Sequence, residues 1–176
     1  MSLSDASTSA PNDAAHFGIT RLLNVPRELA FAAWTEEEHL RRWFAPRDFT
    51  IPVCRLNLVP GGIFHYCMRA SNGVEMWGKW TFREIVAPER LVFVNTFSNR
   101  HGNPTRHPYV AEWPLEILTT ATFENPLASD KTLVGLDSIP IDATPAEQKT
   151  FARMHAAMIQ GWNGTFDQLA AYLATL

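Results

Sequence analysis

The chain has 176 residues, 46% of them hydrophobic and 11% aromatic, and 15 basic against 18 acidic residues give a formal charge of −3. That size and apolar content suit one globular domain with a substantial core, and the scattered charges exclude the basic patch that nucleic acid or an anionic membrane surface requires. No apolar run reaches the ~18 residues of a transmembrane helix, and the N-terminus has neither the basic start nor the apolar stretch of a secretory signal, so a cytoplasmic protein is expected.

Residues 1–14, MSLSDASTSAPNDA, are small, polar and aperiodic, which predicts a disordered tail ahead of a single domain over 15–176. HFGITRLLN (16–24) reads as a first strand. Pro26 then opens a helix at PRELAFAAWT, with Leu29, Ala30, Ala33 and Trp34 at helical spacing. A second short helix, EEEHLRRWF (36–44), begins with acids and ends with arginines, matching the macrodipole at both ends, and Pro46 stops it.

From 49 to 140 the punctuation changes to strand-length pieces: FTIPVCRLNLV, GIFHYCMRA, VEMWGKWTFREI, RLVFVNTFS, PLEILTTATFE and KTLVGLDSI. Tight turns at PGG and SNG and the short APE link predict an antiparallel meander. Phe64, Tyr66 and Met68 alternate onto one face, as do Leu115, Ile117, Thr119, Ala121 and Phe123. Thr144, Pro145 and Glu147 then form a capping-box start for the last element. Phe151, Met154, His155, Met158, Trp162, Phe166, Leu169 and Leu173 follow as one apolar stripe, predicting a single helix over 145–174, roughly 45 Å long. Inside it, Gly161 and Gly164 each cost about 1 kcal/mol relative to alanine. The expected reason is a close approach of helix to sheet, with a kink there.

This α+β order, one strand, two short helices, six strands and a long helix, lays the terminal helix in the curve of an antiparallel sheet of about seven strands. The order, together with FAAWTEEEHLRRWFAP, PGGIFHYCMR, WGKWTFREIVAPERLVFVN and GWNGTFDQLAAYL, resembles the helix-grip fold of the START-like (SRPBCC) superfamily, in its branch named for the activator of heat shock protein ATPase. The resemblance covers nearly everything after residue 16. It implies a cavity between sheet and terminal helix. Relatives by fold bind lipids, hormones or polyketides, and some catalyse cyclisation or hydrolysis. A chaperone partner and a role in the stress response are implied by the branch name.

Within that fold, Phe64, Tyr66, Met68, Trp80, Phe82, Leu115, Ile117, Met154, Met158 and Trp162 are the expected ligand-binding residues, a surface suited to a flat or elongated apolar molecule. The indole N–H of Trp80 or Trp162 supplies an orienting hydrogen bond. NRHGNPTRHPYVAEWP (99–114) is long for a link between paired strands and reads either as a solvated, mobile loop or as a lid over the cavity mouth carrying His107, Tyr109 and Glu112. His65 alternates outward, and His155 reads as a packing residue. There is no Ser/His/Asp order, HExxH, phosphate loop or paired-carboxylate motif, so no catalytic residue, metal ligand or cofactor is assigned. Cys54 and Cys67 read as reduced, packed thiols, with a redox pairing across a hairpin left open.

The expected function is binding of a small hydrophobic or aromatic ligand without defined catalysis. Solid packing between Trp80 and Trp162, with no alternative open state, would count against it. A cyclase- or hydrolase-type enzyme is the first alternative and requires an ionisable group with a shifted pKa in the cavity. An interaction module, as chaperone partner or homodimer, is the second, and requires an apolar patch on the outer sheet face around Trp77, Ile85 and Leu118.

Overall fold

In the computed structural model, which describes residues 15–176, the chain runs β1 (Phe17–Leu23), α1 (Arg27–Thr35), α2 (Glu37–Trp43), β2 (Phe49–Leu56), β3 (Ile63–Ala70), β4 (Glu75–Val86) and β5 (Arg90–Ser98). A two-residue β6 (Pro104–Thr105), β7 (Glu116–Glu124), β8 (Thr132–Ile141), α3 (Pro145–Arg153) and α4 (His155–Leu173) follow. The expected tail, residues 1–14, lies outside the described residues. Among the described residues no helix is long and apolar enough to cross a membrane.

The strands form one antiparallel sheet in the order β1-β8-β7-β5-β4-β3-β2, with β6 added to β5. From β2 to β8 this is the expected meander, and β1 closes the β8 edge. Gly61 and Gly73 take φ of +81° and +86° in the turns after β2 and β3, a region in which side-chain-bearing residues are strained. Pro52 sits on edge strand β2 within a register shift between Thr50 and Val53, where its missing N–H removes no regular ladder bond.

A second register shift, between Phe82 and Glu84, corrects one expectation. The extra residue reverses which side chains face inward along the rest of β4. Ile85 therefore stands opposite buried Leu91 and packs on the core instead of the outer face.

One face of the sheet carries α1, α2 and α4. α4 packs on α2 and β1, and α1 packs on β7 and β8. The main core gathers Trp34, Phe82, Leu91, Phe123, Phe166 and Leu169. A smaller cluster holds Phe17, Ile117 and Phe151.

The terminal element is two helices, not one. The Thr144–Glu147 capping box forms as read, with Glu147 N–H donating to Thr144 Oγ1 at 3.2 Å and Thr144 N–H donating to Glu147 Oε2 at 2.9 Å. At Met154, ψ falls to −1° and its N–H is shared between the carbonyls of Thr150 and Phe151, at 3.2 and 3.1 Å. This tightened turn separates the cores, since Phe151 serves the smaller cluster while Phe166, Leu169 and Leu173 serve the main one. The break precedes both glycines. Neither glycine makes a close approach: a Cβ on Gly161 or Gly164 would meet nothing within 4 Å.

Candidate ligand cavity

Beside the aromatic core, a cavity of about 590 Å³ lies between the sheet and α4. Gly161 and Gly164 border it one turn apart on α4. With open space where their side chains would start, they keep that wall flat. The helix propensity given up there, about 2 kcal/mol in all, is exchanged for cavity volume.

Across from α4, the wall is built by strand parity. Met68 and Met76 face each other on β3 and β4, and Tyr66 lies over Gly78, where a Cβ would come within 2.3 Å of the phenol oxygen. Glycine there lets the Tyr66 ring lie flat across β4 and seal the bare strand. Burial pushes the Tyr66 phenol well above its ordinary pKa, keeping it neutral. Its hydroxyl makes no hydrogen bond among the described residues, whose side-chain bonds involve other groups. Leu115, just before β7, and Ile117 and Thr119 on it continue the wall, and Thr119 Oγ1 hydrogen-bonds Ser138 Oγ at 2.9 Å.

An aromatic stack bounds the cavity on its inner side. Phe93 stacks on Trp80 at 4.2 Å, Trp80 on Trp34 at 5.9 Å, and Trp34 on Trp162 at 6.1 Å. The space directly between Trp80 and Trp162 is therefore filled, by Trp34 of α1, against the expectation of a cavity between those two rings. The cavity lies to one side of this stack and is bordered by both Trp80 and Trp162.

Of the residues read from sequence, Tyr66, Met68, Trp80, Leu115, Ile117, Met158 and Trp162 meet at this cavity. Phe64, Phe82 and Met154 do not line it. Phe44, from the link after α2, packs 5.4 Å from Phe64 and takes the wall position itself. Phe82 packs edge-on against Phe93, which likewise forms the wall. Met154 is held at the α3–α4 break. Phe93, Asn95 and Phe97 went unread as lining residues, although the alternation of RLVFVNTFS carried the signal. Phe44 and Trp113 come from links, where no periodicity marks an inward side chain.

The long 99–114 connection divides in two. Its first part folds over the outer sheet face, where Asn99 O lies 3.2 Å from His65 Nε2 and Gly102 O accepts from Lys79 Nζ at 2.8 Å. His65 faces outward as expected, yet this cover leaves it only 6% exposed. The second part is braced against α3: Arg106 pairs with Glu147, and the Trp113 ring lies 5.5 Å from Phe151. Trp113 reaches the cavity, while His107, Tyr109 and Glu112 do not line it. Tyr109 is 72% exposed, and His107 Nδ1 accepts the N–H groups of Tyr109 and Val110 at 3.0 and 3.1 Å. Burial lowers the His107 pKa, in keeping with that acceptor role.

The charged groups bordering the cavity are Arg47 and Asp167, and Asp167 is paired with Arg21. Among the described residues no three His, Cys, Asp or Glu side chains gather to hold a metal ion. Cys54 lies on the core face opposite Tyr66, whereas Cys67 stands opposite Val53 and Trp77 on the other face. The sheet separates them, which removes the redox pairing, and burial pushes each thiol up to about 11.

A curved antiparallel sheet gripping a C-terminal helix, with a cavity between them, defines a helix-grip domain of the START-like class. The family model described as Activator of Hsp90 ATPase homolog 1-like protein matches residues 24–174, and the chain belongs to that family. Solved structures share the fold. A Nitrosomonas europaea protein is 24% identical with a TM-score of 0.73, covering 94% of this chain and 97% of its own. A Mycobacterium smegmatis protein is 19% identical with a TM-score of 0.74, covering 92% and 91%. The AHSA1 protein from Silicibacter pomeroyi is 18% identical with a TM-score of 0.68, covering 92% and 99%. No curated protein matches the chain significantly.

Proposed function

We propose that this protein binds a small hydrophobic or aromatic molecule in the cavity between the sheet and α4, without chemistry of its own. The observation that carries the reading is the cavity of about 590 Å³ whose α4 wall is held open by Gly161 and Gly164. That volume falls within the roughly 300–1,000 Å³ of small-molecule sites. Met68, Met76 and Met158 on its wall suit ligands of varied shape, because the thioether side chain adapts at little energetic penalty. The interaction-module reading loses Ile85, which is turned inward, and keeps Trp77 and Leu118, the latter opposite Val94 and exposed Ile139 on the outer face.

The test is tryptophan fluorescence titrated with a panel of apolar and aromatic compounds, wild type against Trp162→Phe. Saturable quenching or shift, mostly lost in the variant, is the expected result. A panel that produces neither a fluorescence change nor a calorimetric signal overturns the proposal.

A further inference from the structure

Asn95 is out of place on the cavity floor. It lies mid-strand in β5, directly opposite Trp80 on β4 and Ile117 on β7, with Phe93 and Phe97 on the same face two residues away. Four apolar side chains therefore surround a carboxamide that has two donors and a strong acceptor. Its backbone belongs to both flanking ladders, so no turn or cap explains the residue type, and asparagine is disfavoured in strands. Among the described residues, the Asn95 side chain makes no hydrogen bond, while nearby Thr119 and Ser138 satisfy each other. The Asn95 carboxamide is half-buried and open to the cavity, so a ligand seated on it displaces solvent there, and one without a matching polar group leaves it unpaired at a penalty.

The charges narrow the chemistry. Arg47 belongs to the link after α2 and Asp167 to α4, so neither lies on the sheet floor, and Asp167 already has Arg21 as partner. A charged ligand group directly on Asn95 would sit among Trp80, Phe93, Phe97 and Ile117, where desolvation disfavours charge, whereas Arg47 and Asp167 lie on the cavity border. A neutral donor–acceptor group meets no such barrier. The Tyr66 phenol, held neutral and unpartnered on the same face, offers a second donor.

We propose that Asn95 is a specificity-determining residue, selecting within the apolar cavity a ligand that carries a neutral hydrogen-bonding group of the carboxamide class on an apolar body. This rests on the ligand-binding reading and adds the chemistry of the ligand to it.

The test uses two probes with one aromatic body, 2-naphthamide and its hydrocarbon counterpart 2-isopropylnaphthalene, with dissociation constants measured by calorimetry for wild type and Asn95→Leu. Circular dichroism and thermal melts establish that the variant is folded, and Asn95→Ala replaces it if it is not. The expected result is a shift of about tenfold in the ratio of the two constants, against the amide, with hydrocarbon binding retained. The change in ratio is the diagnostic, because the intrinsic hydrophobic preference for the hydrocarbon cancels between the two proteins. If both probes bind and the ratio moves less than about twofold, the role of Asn95 is overturned while cavity binding stands. If neither probe binds folded wild type, the role of Asn95 in selecting a carboxamide falls, and the cavity reading falls with it only if the fluorescence panel is silent as well.

Discussion

Trp34 and Trp162 stack face to face, ring centroids 6.1 Å apart and planes 10° from parallel, and through this contact α1 braces the helix that bounds the cavity. Trp34 is fully buried and also touches Trp43, Trp80 and Phe123, so four elements converge on one indole. Trp34→Ala should cost about 3–5 kcal/mol, read as a lowered midpoint in urea. Trp34→Phe should cost clearly less, since the indole N–H it removes has no acceptor.

Gly161 and Gly164 should respond differently according to the size of what replaces them. Gly161→Ala gains helix propensity and meets no neighbour, so the protein should become more stable by about 0.5–1 kcal/mol. Gly164→Leu adds a side chain at the cavity border and should weaken binding of aromatic probes while raising the thermal midpoint through the same gain in helix propensity. A destabilised Gly161→Ala protein would contradict the open space described here.

Stability should fall on mild acidification, and His155 is one cause. Its pKa is lowered by burial and then by His16, and it packs between Phe17 and Phe151 with Nε2 lacking a partner. The unfolded chain therefore takes up a proton near the ordinary value of 6.5 while the folded chain resists it. Stability is full above pH 6.5 and is lost as pH falls from there toward the lowered folded value. In His155→Phe the difference between urea midpoints at neutral and mildly acidic pH should shrink. It should not vanish, because His107 is shifted in the same direction.

A second acid-sensitive step belongs to Glu147. Hydrogen bonding to the Thr144 backbone, followed by the Arg106 contact, holds its carboxyl below the ordinary 4.5. This stabilisation is present above pH 4.5 and is lost as pH falls through the lowered value. Arg106 is 58% exposed at its side chain, so the ion pair itself contributes no more than about 1 kcal/mol. Arg106→Ala should thus change stability slightly but raise hydrogen exchange across residues 106–113.

Neither thiol should react in the native state. Cys54 and Cys67 are buried, on opposite sheet faces, with pKa values of about 11. An aromatic disulfide reagent at mildly alkaline pH should modify both only after denaturation, and no intramolecular disulfide should appear under oxidation.

The elements and their order were legible in the residues because each is written in local chemistry. The Thr144–Glu147 cap, the proline opening α1 and the alternation of IFHYCMRA act over a few residues and do not depend on what packs above them. Seven of the ten expected ligand-binding residues reach the cavity, and for all but Leu115, which precedes β7, the reason is the same: parity along a regular strand or helix carries their direction. Sequence by itself thus determined the antiparallel meander, the terminal helical segment and most of the apolar wall. Tertiary structure decided what local periodicity cannot express. The register shift at Phe82 and Glu84 reversed Ile85, the need to serve two cores broke the terminal helix at Met154, and Phe44 displaced Phe64 from the wall. It also decided the meaning of Gly161 and Gly164, because a missing side chain reads identically whether backbone or empty space lies opposite, and only the packed fold distinguishes the two.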